Sequence, residues 1–205
     1  MNDETWDALK AAPIAEIRRR AAILHTIVDV SPVTVEGAER FAWNDSGGQS
    51  AVWYFTPDGR AMLLTFDHET DLNLYAEGTF AEQESLYRGV PADLVQLVRN
   101  RPENYESLNL TEQGTDETIH YAGGVFWFDG TQWRAAEGFL DHCDQADLDP
   151  MSESGFDYCL EAYLLGQEFT AESFIAYRDA EGWYDDPAEK DAALGTVREV
   201  FARHG

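Results

Sequence analysis

Ile14, Ile17, Ala21, Leu24 and Val28 recur at three- and four-residue steps, the spacing of a helix that buries one apolar stripe, and Pro13 suits the first helical position. The pattern predicts a helix over 13–29, with Arg18, Arg19 and Arg20 on its other side. Three strands are expected next, at 33–43, 49–56 and 60–66. They are joined by Asn44-Asp45-Ser46-Gly47-Gly48 and by Thr56-Pro57-Asp58-Gly59, with Pro and Gly where tight turns favour them. Helices are predicted over 79–87 and 91–99, the second opening at Pro91, burying Leu94, Leu97 and Val98, and ending before Pro102.

A second set of strands is expected at 117–122, 124–129 and 132–136. Asp129-Gly130, between Val125-Phe126-Trp127-Phe128 and Gln132-Trp133-Arg134, is the clearest hairpin signal in the chain. Helices then fill 137–146, 157–165, 170–180 and 187–203, with start signals at Thr170 and Ser173 and at Asp186-Pro187 and Glu189. The pattern describes an α+β fold: an antiparallel sheet of about six strands in two three-stranded meanders, covered by helices. No Ser/Gly-rich linker or compositional break divides residues 1–205, so a single domain is expected.

Hydrophobic residues are 44% and aromatic residues 13% of the chain, enough for a packed core and too many for a disordered acidic segment. No apolar run approaches the length of a membrane helix, and Met-Asn-Asp-Glu-Thr-Trp opens acidic where a secretory signal would be basic and then apolar. A cytoplasmic location is the expectation. Cys143 and Cys159 are 16 positions apart with no Cys-x-x-Cys spacing, which predicts two free core thiols.

Charge changes the picture most. Asp plus Glu number 39 against 14 Lys plus Arg, a formal charge of −25. Such a chain repels phosphate backbones and anionic headgroups, which disfavours nucleic-acid and membrane partners and favours a basic protein. The same charge also serves solubility alone. For Arg18–Arg20, internal pairing with acidic segments is the expected role.

The densest polar group is Asp67, His68, Glu69 and Asp71, with Asn73, directly after a predicted strand. Alternating oxygen ligands suit a hard cation. Leu72 and Gly78, however, stand where a helix-loop-helix calcium site needs its Gly and its bidentate Glu. A transition metal would need His25, His120 or His142 brought near by folding. Capping by Thr70 or Asp71 beside a solvated loop is the favoured expectation. His142 and Cys143, adjacent on a helix, point apart and form no ready catalytic pair. Nucleophile-elbow, phosphate-loop, dinucleotide and zinc-protease motifs are absent. No catalytic residue and no cofactor is therefore assigned.

Two further groups stand out. Trp53, Phe55, Trp127 and Trp133 are expected on one sheet face, with Tyr54, Phe126 and Phe128 on the other; the quartet would form core or, alternatively, a ligand-pocket wall. Asp141, Asp144, Asp147 and Asp149 crowd a helix C-terminus, where carboxylates oppose the macrodipole, and Trp183, Tyr184, Asp185 and Asp186 form a second acidic and aromatic group. Acidic side chains around aromatics suit capture of a basic partner. The leading expectation is a non-enzymatic, acidic interaction protein of the immunity or inhibitor kind. A small metal-assisted hydrolase using the Asp67 loop, or a small-molecule binder using the aromatic wall, stands as the alternative.

Overall fold

The computed structural model describes residues 3–28, 33–45, 47–74, 78–104 and 108–205. Asp29, at the end of the first predicted helix, and Ser46, in the first predicted turn, lie outside them. In chain order the elements are α1 (Glu4–Ala11), α2 (Ile14–Ile27), β1 (Val33–Val35), β2 (Ala38–Asn44), β3 (Gln49–Phe55), β4 (Ala61–Asp67), α3 (Phe80–Leu86), α4 (Ala92–Val95), β5 (Asn109–Thr111), β6 (Thr118–His120), β7 (Gly124–Phe128), β8 (Trp133–Ala135), α5 (Glu137–Ala146), α6 (Phe156–Glu161), α7 (Ala171–Ala180) and α8 (Pro187–Arg203). The fold is α+β, with a six-stranded antiparallel sheet in the order β1-β2-β3-β4-β7-β8 and a separate two-stranded ribbon, β5-β6. None of the described helices is long and apolar enough to cross a membrane. Two compact units are present, residues 33–159 and residues 3–28 with 160–205.

In the larger unit, the stretch expected as one strand over 33–43 is a hairpin. Glu36 and Gly37 turn the chain with φ of 47° and 83°, and Val35 pairs with Ala38. A two-residue turn with positive φ at both positions matches the twist of the flanking strands, and Gly37 takes the second position without a Cβ penalty. The expected second meander is also altered: β6 leaves the main sheet to pair with β5, while β7 joins β4 directly. The His120 amide instead donates to the Val98 carbonyl at 2.9 Å, and that of Gly123 to Thr65 at 2.9 Å. The predicted helix at 91–99 contracts to α4 followed by tighter turns.

Register decides which aromatics share a face. Trp53 lies opposite Leu63, and Leu63 opposite Phe126, whereas Tyr54 lies opposite Met62 and Met62 opposite Trp127. Trp53, Phe55, Phe126, Phe128 and Trp133 therefore share one face, and Tyr54 and Trp127 the other. The expectation that Trp127 joins Trp53, Phe55 and Trp133 is corrected by this pairing, because one position of register moves a residue to the opposite side. The Trp53 face packs on α5 and α6: Phe126 meets Phe139 at 5.3 Å and Phe156 at 4.7 Å. The Tyr54 face is covered from β6 and the loop after it, where Phe66 meets Tyr121 at 4.9 Å. At Gly138, on α5, a Cβ would lie 1.8 Å from the Ser85 carbonyl oxygen, so glycine lets the start of α5 close onto α3.

The smaller unit is helical. α1, absent from the predicted elements, starts at the Asp3 cap and buries Trp6 and Leu9; α2 buries Ile17, Ala21 and Leu24. Thr170 and Ser173 close a reciprocal cap on α7, and Asp186 accepts from Ala188 and Glu189 at 2.8 and 2.9 Å to cap α8. Such caps each contribute about 0.5–2 kcal/mol.

Candidate functional site

The Asp67 loop is built as a turn. Asp67, 8% exposed at the end of β4, accepts from Gln49 Nε2 at 3.0 Å and from the Glu69 amide at 2.9 Å through the same oxygen, Oδ1. Thr70 Oγ1 donates to the Asp67 carbonyl at 3.0 Å. His68 Nε2 and Glu69 Oε1 stand 3.8 Å apart on exposed side chains, and the Asp71 amide donates to Glu153. Among the described residues, no three His, Cys, Asp or Glu side chains are grouped to hold a metal ion. Asp67 itself is the capping residue, where Thr70 or Asp71 was expected to cap.

The aromatic quartet is divided between core and surface. Trp53, Phe55 and Trp133 are 0%, 5% and 5% exposed, with Trp53 stacked on Phe55 at 5.9 Å and edge-on to Trp133 at 5.9 Å. Three aromatics packed this tightly fill the space a ligand would need. Trp127, on the other face, borders a shallow surface pocket with Asp129, Arg134 and Glu137. Arg134 lies 5.8 Å from its ring and donates to Asp129 at 2.8 Å, and Asp129, held by Thr131, Gln132 and Arg134, stays ionised far below the usual carboxylate range.

The carboxylates around α5 have separate local roles. Asp141 pairs with Arg88, Asp147 ends α5 in the left-handed region at φ 56°, and Asp149 accepts from the amides of Met151 and Ser152 at 2.9 and 3.1 Å. The Ser152 amide leads in holding the Asp149 carboxyl below its ordinary range. Asp144 is exposed. A surface groove runs between Asp141, Cys143, Asp144 and Pro150. Burial pushes the Cys143 thiol up to about 11 and the Cys159 thiol up to about 12, so neither is a nucleophile at neutral pH.

In the smaller unit, the turn between α7 and α8 carries Trp183, 45% exposed. Its ring is held by Arg178, whose guanidinium carbon lies 4.3 Å from the ring centroid, and its amide donates to the Arg178 carbonyl at 3.0 Å. Glu181, Asp185 and Asp186 surround it in sequence; Asp185 is exposed, while Asp186 is committed to the α8 cap. Tyr184 is half-buried, and burial chiefly raises its phenol.

One group escaped the sequence pattern altogether. Arg40, Tyr54 and His120 are 8%, 0% and 1% exposed and come from β2, β3 and β6. Arg40 and Tyr54 are direct cross-strand partners. Burial first, and then the Arg40 charge, push the His120 imidazole down to about 3, so it is neutral across the physiological range. The only sequence signal was a charged pair, Glu39 and Arg40, inside a strand otherwise rich in apolar positions.

Comparison with protein-family models, with curated proteins and with solved structures finds no match to this chain. Its function is therefore read from its own geometry and charge.

Proposed function

We propose that this chain is a non-enzymatic interaction protein that captures a basic protein partner, in the manner of an immunity or inhibitor protein. The observation that carries the reading is Trp183: a large aromatic with 45% of its surface in solvent, braced by Arg178 and set among carboxylates. Braced aromatics are what interfaces use as anchors, because they bring a large contact area with little rotamer entropy left to lose. The surrounding charge supplies steering. Cations on the described surface are largely committed internally, Arg60 between Asp58 and Asp93, Arg99 between Glu84 and Glu117, and Lys190 on Asp179. The excess of acids over bases in the chain is thus left to act on a partner. A field of this sign accelerates encounter with a basic surface and slows it with a nucleic acid.

Affinity capture from a native extract at low and at high salt, with the wild type and Trp183→Ala in parallel, tests the reading. The expected result is a basic protein retained at low salt, released at high salt and lost from the folded variant. Equal retention by Trp183→Ala, or recovery of no basic protein, overturns it.

A further inference from the structure

A cleft of about 340 Å³ opens in the smaller unit, at the lower end of the volumes that hold small ligands. Its walls are largely apolar: Leu160 comes from α6, Leu164 and Leu165 from the turns after it, and Tyr177 from α7. Leu164 is held in the left-handed region at φ 48°, with its amide on the Glu161 carbonyl at 3.0 Å, and Arg20 donates to the carbonyls of Tyr163 and Leu164. The leucine wall is thus preformed. Two carboxylates line the same cleft. Glu161 ends α6, and Glu181 caps the C-terminus of α7, two positions before Trp183. Among the described residues neither side chain has a salt bridge or a hydrogen bond, although Asp93, Asp141 and Glu172 each hold an arginine. Burial, and then the charge of Glu181, push the Glu161 carboxyl up, so the two acids feel each other and no cation answers them. Like charges beside leucines are unfavourable in the free chain, and a cation placed between them removes that cost.

We propose that this cleft takes a lysine side chain of the basic partner, its four-carbon stem along the leucine wall and its ammonium between Glu161 and Glu181. The inference rests on the interaction reading above and names the group by which the partner is recognised. Lysine stems bury along apolar surface while the charged head stays with polar groups. A compact ammonium turns its three donors towards carboxylates at the ends of two helices, whereas the planar fork of an arginine is satisfied by one carboxylate. A second copy of the chain is a poor occupant. Its only lysines, Lys10 and Lys190, already pair with Asp7 and Asp179 at 2.6 Å each, and two chains of net charge −25 repel.

The test is a titration of the whole chain with Nα-acetyl-lysine methylamide at constant ionic strength, with the norleucine and arginine analogues alongside, read from the methyl signals of Leu164 and Leu165 by NMR. The expected result is a saturable shift with the lysine probe, none with norleucine and a weaker response to arginine. Glu161→Gln and Glu181→Gln each need about tenfold more probe, as loss of one charge-assisted contact implies. No saturable shift, a response to norleucine or arginine equal to that of lysine, or unchanged binding in both variants overturns the proposal. Should a variant fail to fold, the wild-type comparison of lysine with norleucine decides. The capture assay separates this inference from the reading on which it rests. Retention of a basic protein that Trp183→Ala loses, but that both glutamine variants and excess lysine probe leave unchanged, overturns the cleft and keeps the interaction reading. Capture of no basic protein by a chain that binds the probe overturns the partner's lysine as the occupant and leaves the cleft to a free alkylamine. Dimerisation in sedimentation that the probe reverses assigns the cleft to a second copy and overturns it as well.

Discussion

The Arg20 guanidinium donates through Nη1 to the Tyr163 carbonyl at 2.8 Å, across 143 positions of sequence. The same nitrogen reaches the Leu164 carbonyl at 2.5 Å, Nη2 reaches that of Gln167 at 3.1 Å, and Nε is held by Glu16 at 2.8 Å. Phe169 covers the group, its ring centroid 4.9 Å from the guanidinium carbon. Arg20→Ala leaves these carbonyls and Glu16 without their donor and is expected to cost about 3 kcal/mol or more. Arg20→Lys is expected to recover only a minor part, since an ammonium does not reproduce the planar fork. Urea unfolding of the three proteins measures both; equal midpoints for Lys and Arg would reject the fork argument.

Asp186 lies beside the Trp183 anchor and also caps α8, and these roles separate by substitution. Asp186→Ala is expected to lower stability by about 1 kcal/mol, while Asp186→Asn keeps a capping oxygen and loses little. Partner capture is expected to survive both better than it survives Trp183→Ala. Parallel thermal melts and capture assays read the two effects on the same samples.

Both cysteines are free and buried, and their thiols are pushed up to about 11 and about 12. Reducing agent is expected to leave the melting temperature unchanged. Native alkylation by iodoacetamide near pH 8 should be slow at both sites and fast after unfolding, as mass spectrometry can follow. Rapid labelling of the native protein at either site would show that its thiol is reached without unfolding.

His120 predicts a specific acid dependence. Its imidazole, ordinarily at 6.5, is pushed down to about 3 in the folded chain. Above pH 6.5 neither state carries the proton, so His120 adds nothing to the pH dependence. Below that value the unfolded chain takes up a proton that the folded chain refuses. Stability therefore falls as pH drops towards 3, with a slope approaching about 1.4 kcal/mol per pH unit. Carboxylates held low, such as Glu16 and Asp93, act at more acid values: their contribution is present above their ordinary 4.5 and 3.8 and is lost as pH falls through their depressed values. His120→Gln should flatten the limb between about pH 6.5 and 4.5 and leave the steeper acid limb in place. An unchanged slope in the variant, from denaturant titrations across this range, would remove His120 as its source.

Local chemistry made much of the architecture legible. The helix at 137–146 and that at 187–203 are α5 and α8, and the Thr56–Gly59 turn joins β3 to β4 as its Pro and Gly imply, with the Gly59 amide donating to the Thr56 carbonyl at 3.1 Å. α1 was legible in principle, since Asp3, Trp6 and Leu9 carry a cap and a three-residue step, but eight residues are too short for periodicity to stand out. The Glu36-Gly37 hairpin lacked the Asn-Gly or Asp-Gly signature that marks such turns.

What the sequence determined by itself is the α+β class, the large excess of acids and the bounds of elements such as α5, α7 and α8, because propensity, capping and turn chemistry act within a few residues. Only the tertiary structure decided that β6 leaves the main sheet, that Trp127 faces away from Trp53, and that Arg40 is buried. Strand pairing and register join residues far apart in the chain, and neither leaves a mark on neighbouring positions. An arginine at an alternating strand position reads as solvent-facing until folding brings His120 of β6 near it and buries both.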